Sequence, residues 1–289
     1  MNENFITSAV YDMVVKKVNA PWLLIPFGDV HYGNPSHASA RFQEFLDECE
    51  ADIKAYQDRV RFIGMGDYFE VYSGSERAIV ETHKLHDSTI LRRDEVLQRE
   101  ADAFFELIKF MKGRTLGLLE GNHFANFSNL VTTTPYLCEK LECPYLAKET
   151  FIKLKWDYSN KKKSLVIHAT HGAGGASTPG GSINRVDRMA KVAQADISLM
   201  GHDHQRGAWP GVQIYMDTDD QIKEKLIYIG RTGSFLKTRQ VGKPSYADPA
   251  WPATALGSLK FMMIPRTTAV GKAGRKKLYK FRVELKAVS

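Results

Sequence analysis

Trp22-Leu23-Leu24-Ile25-Pro26-Phe27-Gly28-Asp29-Val30-His31 is the stretch on which the reading of this chain turns. Six apolar residues closed by Gly-Asp read as a buried strand running into a loop. The pattern then returns. Val60 to Met65 ends at Gly66-Asp67, and Thr115 to Leu119 runs into Gly121-Asn122-His123. Farther along, Ser164–His168 leads to His171-Gly172, and Ile197–Met200 leads to Gly201-His202-Asp203-His204. Each strand thus exits into residues that bind metals or move protons. In α/β sheets, ligands gather outside the carboxyl ends of strands, so distant segments can deliver side chains to one shared edge.

Between these strands the spacing turns helical. Ala38, Phe42, Phe45, Leu46, Cys49 and Ile53 make one apolar stripe. A second runs from about Asp94 to Met111, with Val96, Leu97, Phe104, Phe105, Ile108 and Met111 on its apolar side. A short helix is expected near Ser128 to Leu141, and a strand over Phe151–Lys155. The glycine-rich loop Gly172 to Gly181 leads into a helix beginning near Ser182. The remainder reads as β-hairpins: Val212–Met216, Leu226–Ile229, Leu259–Ile264 and Leu278–Leu285.

The 289 residues, 43% of them apolar, suffice for a sizeable core. No repeat or linker divides them. No stretch approaches the roughly 18–20 continuous apolar residues of a membrane span, and Met1 to Val10 lacks a signal pattern. The expectation is a soluble, unexported, cytoplasmic protein with no membrane partner. Cys49, Cys138 and Cys143 have neither zinc-ligand nor CxxC spacing, and an odd count argues against a disulfide framework. The formal charge of +7 favours polyanionic partners such as nucleic acids.

Taken singly, the five clusters say little; a strand-ending Gly-Asp is usually a turn. Gly121-Asn122-His123 is the most informative, because Asn packs poorly but offers a neutral oxygen ligand. In this order, the five resemble the signature of the calcineurin-like metallophosphoesterases: DxH, GDxxD/E, GNH, a lone His, then GHxH. The match runs from about Gly28 to His204 and does not cover the flanks or the stretch between Val71 and Thr115. Carboxylate, imidazole and amide oxygen suit Mn²⁺, Fe or Zn²⁺, and the lack of thiolates argues against a structural zinc site.

The resemblance implies a two-sheet αββα sandwich with metals at the strand-end edge. One domain, 1–289, is expected, with 71–112 as a helical insertion and 205–289 as C-terminal hairpins completing the second sheet. It implies two divalent ions, Mn²⁺ first and Fe or Zn²⁺ as alternatives. Asp29, His31 and His204 would hold one ion, Asn122, His171 and His202 the other, with Asp67 bridging. A hydroxide shared by the metals would be the nucleophile. His123 would serve the leaving group as acid, and Glu70 stands where the family carries an acidic partner for it. His168 competes with His171, but strand alternation leaves His168 within the sheet; His37, His83 and His86 read as solvated. Arg185 and Arg188, early in the helix after the glycine loop, are candidate phosphate ligands. The basic stretch Lys272, Arg275, Lys276, Lys277, Lys280 and Arg282 reads as an exposed strand pair or a backbone-tracking surface for DNA or RNA. The leading expectation is a phosphodiesterase acting on nucleic acid, with a phosphomonoesterase and an inactive metal-binding scaffold as the alternatives.

Overall fold

Successive residues of β2 (Trp22–Phe27) belong to different cores. Trp22 and Leu24 join one apolar cluster, whereas Leu23, Ile25 and Phe27 join another. A strand's two-residue period requires that split when both faces are covered. The computed structural model describes residues 6–70, 86–129, 131–176, 178–238, 253–273 and 276–288.

Parallel to β2 run β3 (Val60–Gly64) and β4 (Thr115–Leu118). On its other side lies the antiparallel pair β10 (Lys260–Ala273) and β11 (Lys276–Val288), giving a five-stranded sheet in the order β11-β10-β2-β3-β4. A six-stranded sheet is built from β1 (Ile6–Val14), β5 (Glu149–Tyr158), β6 (Lys161–Thr170), β7 (Ile197–Met200), β8 (Arg206–Met216) and β9 (Ile222–Thr232). Its order is β1-β5-β6-β7-β9-β8, with β6, β7 and β9 parallel. The sheets meet over Leu24, Ile63, Ile167, Leu199 and Phe261, and the Trp22 and Trp156 rings pack edge to face at 5.4 Å.

Helices α1 (Ser39–Tyr56), α2 (Asp87–Ile108) and α3 (Thr133–Leu141) cover the outer face of the five-stranded sheet. Helix α4 (Pro179–Val192) packs Val186 and Ala190 against Ile229 of the other. The layers are therefore α, β, β, α, as the resemblance implied. Among the described residues, no helix is long and apolar enough to cross a membrane.

Several expectations are corrected. The C-terminal strands do not all complete one sheet: β8 and β9 extend the six-stranded sheet, while β10 and β11 extend the five-stranded one. Hairpin periodicity reveals a strand's partner but not its layer. Helix α4 starts at Pro179 rather than near Ser182. The Thr178 hydroxyl accepts the Gly181 N–H at 3.2 Å, and proline's preset φ suits the first turn. Strand β1 escaped notice because its outward residues include Ile6, Val10 and Val14, which blurs alternation. Val96 is exposed on α2, so the buried stripe is Leu97, Ala101, Phe104 and Ile108. Of the expected insertion, residues 71–85 lie outside the described residues.

Phe104 fastens α2 to α1 and to the loops after β2 and β3, its ring 5.8–6.2 Å from those of Tyr32, Phe42, Tyr68 and Phe69. Phe104→Ala should cost about 3–5 kcal/mol of stability in urea denaturation. Val96→Ala, on the same helix but exposed, should cost about 0.5 kcal/mol or less.

Candidate metal centre

Strands β2, β3 and β4 end where β6 and β7 end, so the five motif loops converge on one edge. The chain turns there in an unusual way. Asp29, His31, Asp67, His202 and His204 all have positive φ, between 47° and 73°. A left-handed backbone at a non-glycine residue costs about 1–3 kcal/mol and persists only where its surroundings over-determine it. Here they do. The N–H groups of Asp29 and Val30 donate to the carbonyls of Gly66 and Asp67, at 2.9 and 2.8 Å, locking the first two loops together. After β9, the Phe235 N–H and the Ser234 hydroxyl both donate to the Asp29 carbonyl, each at 2.9 Å. Two glycines are fixed by crowding. A Cβ at Gly121 would collide with Asp67 Oδ1, and one at Gly66, where φ is 96°, would lie 2.6 Å from His171 Nδ1.

The ligand-type side chains form two groups. In the first, His31 Nε2 lies 3.3 Å from His204 Nε2, and His204 Nε2 lies 3.6 Å from Asp29 Oδ1. In the second, Asn122 Oδ1 lies 2.9 Å from His171 Nε2 and 2.7 Å from His202 Nδ1, and those nitrogens are 3.2 Å apart. Asp67 Oδ2 stands between the groups, 3.9 Å from His31 Nε2 and 3.3 Å from His171 Nε2. Donors bound at about 2.1 Å to one ion sit roughly 3.0–3.4 Å apart in octahedral or tetrahedral geometry, so both groups have the span a small divalent cation needs.

Hydrogen bonds fix which ring nitrogens face inward. His171 donates its Nδ1–H to the Met65 carbonyl at 2.7 Å, leaving Nε2 toward Asn122 and Asp67. His31 donates its Nδ1–H to Glu70 Oε2 at 2.6 Å, leaving Nε2 toward His204. Partners of this kind set tautomer and orientation in metal-binding histidines. Glu70 Oε1 also accepts from His123 Nδ1 at 2.7 Å, so one carboxylate holds a ligand candidate and the acid candidate together.

Charge in the site is tightly balanced. Asp29 is fully buried, and burial raises its carboxyl to about 6. Among the described residues its Oδ1 accepts no hydrogen bond, an arrangement that a cation resolves. Burial opposes the charge on Asp67 as well, but His171, His31 and His123 hold it well below the usual range. His171 rises to about 9: burial works against its charge, and the Asp67 carboxylate outweighs burial. The proton that results stands among Asn122, His202 and Asp67, where a metal would displace it. Burial and then the His171 charge bring His202 down to about 4, while burial and His31 push His204 far down. Against the pull of burial, hydrogen bonds from His123 and His31 draw Glu70 to about 2.

Other candidates lie elsewhere. His168 stacks on Phe151 at 4.3 Å and bonds Glu149 at 2.6 Å, within the sheet and apart from both groups. Arg185 gives Nη1 to the carbonyls of Ala173 and Gly174, so it grips the glycine loop rather than the ligand groups. Arg188 is exposed on α4. His37 is not solvated as expected: its Nδ1 meets the Val30 carbonyl at 2.8 Å, and its ring packs on Tyr32 and Phe42. His86 caps α2, and His83 lies outside the described residues. Sequence reasoning missed the contact between Glu70 and His31, which no spacing rule announces.

Neither a family model nor a curated protein matches the sequence. Among solved structures, the chain is similar to Vps29 of Entamoeba histolytica complexed with Zn²⁺, at 13% identity over 92% of this chain and 98% of that one, with a TM-score of 0.37. A predicted phosphoesterase of Streptococcus pneumoniae aligns at 13% identity over 93% and 99%, with a TM-score of 0.32. The calcineurin-like phosphoesterase YfkN of Bacillus subtilis aligns at 10% identity over 92% and 90%, with a TM-score of 0.33. The chemistry rests on the side chains of the site rather than on these likenesses.

The two neighbouring histidines give a sharp test. His171→Ala should lose one equivalent of Mn²⁺ in elemental analysis after loading and gel filtration. His168→Ala should keep the wild-type metal content and lower the melting temperature. The reverse pattern would move the ligand to His168.

Proposed function

We propose that the chain is a metallophosphoesterase of the calcineurin-like superfamily, hydrolysing phosphate esters with two divalent cations at this edge. The observation that carries the reading is the position of Asp67 Oδ2, between two groups of metal-ligand atoms. Asp29, His31 and His204 would hold one cation, Asn122, His171 and His202 the other, and Asp67 both. Bound there, two cations supply Lewis-acid charge for phosphoryl oxygens and acidify a water nucleophile; Mn²⁺ leads, with Fe or Zn²⁺ in range.

The protein's own groups do the rest. Glu70 fixes His123 through Nδ1, so Nε2 is the nitrogen offered to the leaving oxygen. Burial lowers the His123 pKa, but the Glu70 hydrogen bond and the charges of Asp67, Glu70 and Asp29 more than offset it. The pKa therefore ends above the ordinary value, which favours a protonated acid. Arg185 braces the glycine loop, and Arg188, exposed on α4, is kept as the candidate phosphate ligand.

We assign the substrate class as phosphodiesters, including those of nucleic acid, on the +7 charge of the chain. One negative charge at the reacting phosphate binds weakly, so neighbouring phosphates must contribute. With Mn²⁺ present, bis-p-nitrophenyl phosphate should be hydrolysed faster than p-nitrophenyl phosphate. Single- or double-stranded DNA should be cut, with binding that weakens as salt rises. A better rate on p-nitrophenyl phosphate without DNA cleavage would favour a phosphomonoesterase, leaving the two-cation reading intact. Two bound metals with no turnover of any ester would favour a scaffold.

Two substitutions test the acid. His123→Ala should keep the metals and lower turnover by about 10²–10⁴-fold. An acid works while protonated, so its contribution disappears as pH rises through its pKa. Glu70→Gln removes the carboxylate charge that helps raise that pKa, and should move the alkaline limb of the rate profile to lower pH. An unmoved limb would separate Glu70 from the acid function.

A further inference from the structure

The connection from β7 to β8 has to cross a strand. In the six-stranded sheet β9 lies between them, so residues 201–205 pass over the end of β9. His202 and His204 sit on that turn, and they belong to different ligand groups. Both have left-handed backbones, with φ of 73° and 60°. Asp203, between them, turns down into the sheet. Its Oδ1 accepts the Nε–H of Arg231 at 2.9 Å and the Gln205 N–H at 3.3 Å, while Oδ2 pairs with Arg231 Nη2. Arg231 is on β9, paired with Met200 of β7 and Gly207 of β8, directly beneath the crossing. Each side chain of the pair is 1% exposed.

We infer that the Asp203–Arg231 pair is a positioning device for both cations, fixing the spread between His202 and His204 and so the spacing of the two sites. The inference rests on the two-cation reading given above. Stability alone does not explain the pair. Apolar residues of similar volume commonly replace buried ion pairs without loss, and here Arg231 Nη1 is buried with no acceptor among the described residues. The pair also keeps Asp203 from serving as a ligand itself, since a free carboxylate between two histidines would compete for either cation. Asp203 and Arg231 act only through the histidines; neither meets substrate.

The test compares Asp203→Asn and Arg231→Lys with wild type, using Mn²⁺ calorimetry and electron paramagnetic resonance of the Mn²⁺-loaded proteins. Leu199→Ala, a core change on β7, serves as the stability control. Wild type should bind two Mn²⁺ and show an exchange-coupled spectrum. The two variants should bind both ions about 10–100-fold more weakly and show the spectrum of isolated Mn²⁺. Leu199→Ala should lower the melting temperature while keeping wild-type affinities and coupling. Asp203→Glu combined with Arg231→Lys restores an ion pair of similar span and should recover part of the affinity. If Arg231→Lys does not fold, Asp203→Asn carries the comparison, because it removes a charge at nearly constant volume. Wild-type affinities and coupling in the variants, with only the melting temperature lowered, would overturn the inference. Fewer than two Mn²⁺ on the wild type would instead overturn the two-cation reading.

Discussion

The carboxylate of Asp67 joins the two groups of ligand-type side chains at the sheet edge. Its Oδ1 accepts the backbone N–H groups of Asn122 and His123, at 2.7 and 2.9 Å, which ties the loop after β3 to the loop after β4. Its Oδ2 faces His31 from one ligand group and His171 from the other. The charge is costly where it sits, with only 3% of the residue exposed. Two amide donors and surrounding imidazoles offset that cost. Asp67 therefore orients the Asn122 loop, places His123 beside Glu70, and sets the boundary between the groups. Shortening this side chain or removing its charge would disturb all three.

Around it the backbone is held under strain that the sandwich can bear. Five candidate ligand positions have left-handed geometry, a combined expense of several kcal/mol. The core between the sheets and the aromatic layer under α1 and α2 keep the strand ends at fixed separations, since packed interiors yield little. Gly121 and Gly66 show how close that approach is: any side chain there would occupy the space of Asp67 or His171. The geometry of this edge thus depends on packing far from it.

The sequence made the central strands and the motif loops legible because both depend on local pattern. β2 and β7 occupy the ranges their apolar runs suggest, and α1 buries Phe42, Phe45, Leu46 and Cys49 from the expected stripe. Long-range pairing was less legible. Nothing in the hairpin periodicity of β8 to β11 tells which sheet takes each pair, and β1 has too many exposed apolar residues to alternate cleanly. At the strand-end edge, residue type and order pointed to side chains that the structure brings together. The supporting contacts were invisible, because Glu70 reaches His31 across 39 positions and Arg231 reaches Asp203 across 28. Such contacts follow from topology, which spacing does not encode.

The two-cation proposal requires a pair of ions flanking one carboxylate. The most direct measurement is anomalous diffraction at the manganese edge from crystals grown with Mn²⁺. Two strong peaks are expected on either side of Asp67 Oδ2, one among Asp29, His31 and His204, the other among Asn122, His171 and His202. A single peak at saturating Mn²⁺, or two peaks that leave Asp67 out, would contradict it.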